Sequence, residues 1–230
     1  MNASQLPLDL GFKPSLAAED FLVAGCNEQA VGWIEKWPDW GAPALLIQGE
    51  AASGKTHLAC LWATRSGARY IDMGRDPLPD TSSEKGPFVL EGLDRVVGDR
   101  LVEEALFHVY SAATPITGLL FTSRQPPQAL PFAIADLASR LRAIPAATIR
   151  PPDDDLIGML LVKQFADRQL HPEAELIHYL LPRIERSYLA IRTLVADLDR
   201  ASLSGRRPVT VALARHVLEA QQQAQLWPEA

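Results

Sequence analysis

Apolar positions recur along this chain with two different periods, and the change from one to the other divides it. Up to about residue 150, short apolar runs alternate with stretches of helical spacing. The runs at 44–48, 69–72, 87–91, 117–122 and 147–150 have the length and character of buried strands. Between them, 28–37, 57–64, 101–113 and 136–141 read as helices. Trp33 and Trp37 are four apart and share one helical face, while Leu101, Ala105, Leu106 and Val109 form the packed side of another. Proline, glycine and aspartate mark the loops at 38–43, 74–86 and 125–131. Pro151-Pro152 ends this region. Beyond it the pattern is helical only, over 153–169, 172–181, 188–202 and 210–222, with Asp153 as the N-cap of the first of these helices. The expected organisation is an extended arm over 1–20, an α/β domain over 21–152 and an all-helical domain over 153–230. Strand–helix alternation implies a mostly parallel five-stranded sheet with helices on both faces. Ligands of such sheets bind beyond the carboxyl ends of the strands.

Composition narrows the class without choosing a function. At 230 residues, 47% hydrophobic and 22% charged, the chain has the make-up of a globular domain with a small appendage. A formal charge of −6 argues against a broad electrostatic grip on nucleic acid, though a local basic patch stays open. Two cysteines, Cys26 and Cys60, lie in apolar surroundings without metal-like spacing and read as reduced thiols. With neither a basic-then-apolar leader nor a run long enough to span a bilayer, the expected location is cytoplasmic, with no membrane partner. The five histidines show no metal-ligand spacing.

The chemistry concentrates at 49–56, Gly-Glu-Ala-Ala-Ser-Gly-Lys-Thr, which fits G-x-x-x-x-G-K-[S/T] without mismatch between a strand and a helix. The glycines permit a turned backbone whose N–H groups converge on phosphate oxygens, and the next helix adds its positive end. Gly49, Ala51, Ala52, Ser53 and Gly54 would form the cradle. Lys55 would reach the outer phosphates, and Thr56 would offer its hydroxyl to Mg²⁺. The third strand ends in an acid, Glu91, at the same end of the sheet. Thr122-Ser123, at the end of the fourth strand, has two open readings, a contact with phosphate or water and a cap on its own loop. At the amino terminus, Gln5-Leu6-Pro7-Leu8-Asp9-Leu10 alternates apolar residues around a proline. It reads equally as an arm packed on its own domain and as a docking peptide for a partner's groove.

A phosphate loop followed by a helical lid resembles the AAA+ ATPases. Phe21, Val23, Gly25 and Asn27 resemble the nucleotide-base segment of the DnaA family, and Ala138-Ser139-Arg140-Leu141 resembles the motif around its arginine finger. Arg192-Thr193-Leu194 with Leu198-Asp199-Arg200-Ala201-Ser202 looks like the last lid helix of the Hda-type regulatory inactivators of DnaA. Too few residues follow Ser202 for the helix-turn-helix domain that follows the lid in DnaA, so that domain is not expected. With this resemblance, Gln5, Leu6, Leu8 and Leu10 match the peptide by which the Hda type binds the sliding clamp.

The resemblance implies ADP or ATP with Mg²⁺ as cofactors. It implies contacts to nucleotide from Phe21, Val23, Asn27, the loop 49–56, Glu91, Thr122 and, as second sensor on the lid, Arg192. Arg140 would be an arginine finger acting in trans; the plainer alternatives are a surface ion pair for Arg140 and a lid-to-core ion pair for Arg192. The implied partners are DnaA and the beta subunit of DNA polymerase III, the sliding clamp. DNA would be met only through the clamp, and homo-oligomerisation is left open. The implied function is negative regulation of replication initiation. One departure bears on chemistry. Active relatives end the third strand in two acids, the second of which orients water. Here the pair is Glu91-Gly92: Glu91 would act on Mg²⁺ through water, Gly92 has no side chain to orient anything, and extended alternation would carry Asp94 elsewhere. Weak or absent self-hydrolysis is therefore expected. The rival readings are a self-sufficient ATPase, such as a helicase loader or transposition helper, and an interaction module whose nucleotide is purely structural.

Overall fold

The structure is a computed structural model and describes residues 21–205 and 207–226. The expected arm over 1–20, with Gln5, Leu6, Leu8 and Leu10, lies outside the described residues. Five strands form one parallel sheet: β1 (Ala44–Gly49), β2 (Arg69–Asp72), β3 (Phe88–Glu91), β4 (Leu119–Ser123) and β5 (Ala146–Ile149), in the order β2-β3-β4-β1-β5. This order sets the carboxyl ends of β3, β4 and β1 side by side. Leu90 is level with Phe121, and Gln48 with Ser123. Helices α1 (Glu28–Glu35), α2 (Lys55–Ser66), α3 (Arg100–Ala112) and α4 (Ala135–Ala143) cover the sheet.

β1 shows why both faces must be covered. Ala44 and Leu46 join a core with Leu106 and Val109 of α3 and Leu137 and Leu141 of α4. Leu45 and Ile47 point the other way and are equally buried, as are Leu58, Ala59 and Trp62 of α2. Each such large apolar side chain contributes roughly 1.5–3 kcal/mol relative to exposure.

Several boundaries move for local reasons. The first helix ends at Glu35, not 37, and Trp37 instead meets the Trp62 ring edge-on. β4 begins at Leu119 because Thr114 and Thr117 exchange side-chain-to-backbone hydrogen bonds in the preceding turn. α3 is rotated from expectation: Leu101 is 77% exposed, and the buried face is Glu103, Leu106 and Val109. Asp99 caps this helix by accepting from the N–H groups of Leu101 and Val102, which keeps the first turn at the surface.

The chain divides into two compact units, one running to Arg150 and one beginning at Pro151. The second contains α5 (Asp154–Asp167), α6 (Ala174–Leu180), α7 (Tyr188–Gly205) and α8 (Val211–Leu226). Its core is built from Ile157, Leu161 and Phe165 of α5 against Ile191, Leu194 and Leu198 of α7, with Ala214 and Val217 of α8. Asp153 caps α5 through the Leu156 N–H at 2.9 Å. Cys26 is buried, Cys60 is half-buried, and no disulfide joins them. Among the described residues no helix is long and apolar enough to cross a membrane.

Candidate functional site

The loop between β1 and α2 turns where its sequence permits. Ala52 and Gly54 have φ of 63° and 95°. A Cβ on Gly54 would also come within 2.9 Å of the Phe21 ring, so this position excludes other residues twice over. α2 starts at Lys55 with no side chain capping it, which leaves its positive end for an anion. The Lys55 ammonium donates to the carbonyls of Gly49 at 2.8 Å and Glu50 at 2.6 Å. Burial pulls its pKa below the usual lysine value, and the nearby Arg124 adds to this. The Asp94, Glu91 and Glu50 carboxylates oppose it. A desolvated cation resting on loop carbonyls is short of strong acceptors, and phosphate oxygens supply them. The loop therefore fits a phosphate group.

Across the sheet ends, the Thr56 and Tyr70 hydroxyls both donate to the Glu91 carboxylate. Thr56, expected to offer its hydroxyl to Mg²⁺, and Glu91, expected to act on that metal through water, are thus brought together. Among the described residues no three His, Cys, Asp or Glu side chains converge on a metal position. A Mg²⁺ ion here would depend on Thr56, Glu91, water and phosphate oxygens, the donor set this ion favours. Burial and the Glu91 contact push the Tyr70 phenol far above its usual pKa. Sequence reasoning gave Tyr70 no role. Its only signal is its place on the strand that pairs with β3.

The chain leaves β3 in a way that period-two alternation does not foresee. Gly92 has φ of 85° and opens a single 3₁₀ turn, Leu93–Arg95. That turn carries Asp94 back to the sheet ends, where it accepts the Arg124 N–H at 2.9 Å and acts on Lys55. The expectation that Asp94 lies elsewhere is therefore corrected. Gly92 itself is covered. A Cβ there would collide with the Arg95 guanidinium, which is held by Asp72 at 2.6 Å and by the Glu91 carbonyl at 3.1 Å. A cation occupies the place where a second acid would begin. Thr122 accepts the Gly92 N–H at 3.0 Å, and Ser123 donates to the Gln125 carbonyl at 2.6 Å. Both hydroxyls are buried and hold backbone.

The segment expected near the base is ordered by its own polar groups. Asn27 is buried, accepting from the Ala24 N–H at 2.9 Å and donating to the Leu22 carbonyl at 2.8 Å. Val23 is 56% exposed. Arg150 ties this segment to the end of β5 by donating to the Gly25 carbonyl from its side chain and to the Cys26 carbonyl from its backbone. A cavity of about 420 Å³ opens beside it, lined by Gly25, Cys26, Glu28, Gln29, Thr148 and Arg150. Its size lies in the range of small-molecule sites. Arg192 is in the second unit, exposed on α7 beside Arg168, whose guanidinium burial and Arg192 both push down in pKa.

The contacts of Arg140 are with Asp136, Phe107 and Tyr110, none of them a residue of the cleft. Arg140 is on α4, with a side chain 40% exposed and Nε 3.4 Å from Asp136. Surface pairs of this kind contribute about 0–1 kcal/mol, so Asp136 holds it loosely. The helix beneath it is fixed much more firmly. Glu103 of α3 is fully buried and accepts the N–H groups of Gly98, Ala133 and Ile134 at 2.8, 2.9 and 2.7 Å. Two of those donors belong to the residues that lead into α4. A buried carboxyl group satisfied by three backbone donors is a rigid joint.

A parallel sheet of order β2-β3-β4-β1-β5, with a phosphate loop after β1 and a separate four-helix unit, is the AAA+ fold, and similarity to solved structures agrees. Domain III of the replication initiator DnaA from Thermotoga maritima superimposes with a TM-score of 0.75 at 18% identity, over 91% of this chain and 98% of that one. DnaA from Aquifex aeolicus, bound to AMPPCP, gives 0.63 at 18% identity over 80% of this chain and 65% of that one. The chain thus spans less than two thirds of that DnaA. The Holliday junction branch migration motor RuvB of Thermotoga maritima gives 0.64 at 13% identity over 90% of this chain and 72% of that one. Residues 153–218 match the family model for the Hda lid domain. The match places an Hda lid domain at 153–218, and the chain as a whole shares the fold of DnaA domain III.

Proposed function

We propose that this protein is a negative regulator of chromosome replication initiation which completes an active site on DnaA. It holds ADP or ATP with Mg²⁺ in its own loop and docks on the sliding clamp through Gln5, Leu6, Leu8 and Leu10. There it presents Arg140 to ATP bound on DnaA. When bound, the nucleotide and its metal supply a compact phosphate charge in the loop. The residues of this chain do the rest: Lys55 and Thr56 bind that charge, Glu91 orients Thr56, and Arg192 on the lid reads the phosphates. DNA is met only through the clamp.

The observation that carries this reading is the surface position of Arg140 on a rigid helix, while Arg95 covers the place of a second acid. Arginine neutralises charge on a transferring phosphoryl group and commonly accelerates hydrolysis on the order of 10³–10⁵-fold. The Hda lid supports DnaA as the protein that receives it. The test is hydrolysis of DnaA-bound ATP in the presence of clamp-loaded DNA. Arg140→Ala should lower the stimulated rate about a thousandfold or to the rate of DnaA alone. Unchanged stimulation would remove Arg140 from the mechanism.

Asp94 is the feature that favours a self-sufficient ATPase, because the 3₁₀ turn returns it towards Lys55. Turnover by the isolated protein that is lost in Asp94→Asn would establish that second reading.

A further inference from the structure

The two arginines of α4 are held in different ways. Arg142 stands 5.9 Å from the Phe132 ring centroid and directs its Nε at the Pro127 carbonyl, 3.5 Å away. The Arg140 guanidinium lies 4.8 Å from the Phe107 ring centroid and 5.9 Å from that of Tyr110. These rings are three residues apart on α3 and so share one face. Both are half-buried and packed against the core beneath, which stiffens them. Tyr110 is electrostatically coupled to the cation: burial raises its pKa and Arg140 opposes the rise.

Such a support suits a group that must meet an anion elsewhere. An aromatic face attracts a guanidinium without accepting its in-plane hydrogen bonds. The Asp136 contact uses Nε, on the side nearest the helix. Among the described residues no hydrogen bond or ion pair engages its terminal nitrogens, which match a phosphate in pairs. A long side chain with many rotamers is thereby restricted before it meets its target, which lowers the entropy lost on contact. The Glu103 joint extends this rigidity downward, since it fixes α3, which carries the rings, to the start of α4, which carries the arginine.

We infer that Phe107 and Tyr110 are positioning residues for Arg140, a platform that aims its terminal nitrogens at an anionic phosphoryl group on a second protein. The inference rests on Arg140 acting in trans, and its test separates the two.

Single-turnover hydrolysis of DnaA-bound ATP, with clamp-loaded DNA, is measured for Phe107→Leu, Tyr110→Leu, Tyr110→Phe and Arg140→Ala. Leucine keeps apolar packing and removes the ring. Each leucine variant should lower the maximal stimulated rate about two- to fivefold, with the half-saturating concentration unchanged. Tyr110→Phe should match the parent. The Arg140 Nε–H resonance, assigned by its loss in Arg140→Lys, reads the platform without DnaA. It should move away from its ring-shifted position in Phe107→Leu and stay in Tyr110→Phe. If Phe107→Leu folds poorly, Tyr110→Leu carries the same test. Loss of stimulation in Arg140→Ala together with parental rates in both leucine variants would overturn the platform and leave the arginine in place. An unchanged resonance in both leucine variants would overturn it as well. Parental stimulation by Arg140→Ala would instead remove the trans arginine, and the platform's role with it.

Discussion

The phosphate cleft and the α4 arginine lie in one α/β unit and are built on opposite plans. In the cleft, charged groups turn inward on each other. Lys55 rests on loop carbonyls, Glu91 receives two hydroxyls, Arg95 covers Gly92, and Thr122 accepts a backbone N–H. At α4 the rigid parts lie below, and the working group faces solvent on two rings. A site that must hold a ligand gains from internal order. A group that must act on another protein gains from a stiff base and a free end. On the function proposed above, the difference accounts for a complete phosphate loop in a protein whose chemistry takes place on a partner.

Weakening the base of α4 should break that contrast most sharply. Glu103→Gln keeps one oxygen, enough for the Gly98 and Ala133 N–H groups, but sets an amide N–H₂ against the Ile134 N–H in a fully buried position. It should lower unfolding free energy by about 1–3 kcal/mol in urea titrations. Stimulation of DnaA should fall while nucleotide affinity stays close to parental. An equal loss of both would mean that the two regions are not independently supported.

Changing the cleft should sharpen the contrast. Gly92→Glu supplies the missing acid, yet it must take a left-handed conformation and displace Arg95 from Asp72. It should cost on the order of 1–2 kcal/mol from the backbone alone and leave ATP turnover by the isolated protein at background. Turnover in this single variant would show that the acid was the only thing absent.

The smallest effect is a pH dependence of nucleotide binding. Burial has lowered the Lys55 pKa, and bound phosphate would raise it again. Affinity should therefore be full below the lowered value and weaken as pH rises through it, by up to about tenfold per pH unit. Calorimetric titration over that range checks this, together with proton uptake on binding. Flat affinity would mean that Lys55 already binds its proton as firmly without phosphate as with it.

What the sequence disclosed, and what it hid, follows the same division. The five strands, the phosphate loop and the Asp153 cap are local patterns, and they stand close to where periodicity puts them. The pairing of Thr56 with Glu91 followed from strand ends meeting in a parallel sheet. Glu103 was invisible, because helical periodicity counts a glutamate as surface and its partners at Ala133 and Ile134 are thirty residues away. Leu101 misled for the converse reason: its apolar side chain lies in a capped first turn. Asp94 was misplaced because the left-handed turn at Gly92 ends the extended geometry on which alternation depends. The Phe107–Tyr110 platform needed two helices to be packed before it existed.

The most direct test of the central claim separates the two nucleotides. The protein is loaded with AMPPCP, which cannot be hydrolysed, and mixed with DnaA carrying radiolabelled ATP on clamp-loaded DNA. The account predicts that the labelled ATP is hydrolysed at the rate seen with the unmodified complex, and that Arg140→Ala abolishes this. Hydrolysis that stops when the protein's own nucleotide cannot be cleaved would contradict it.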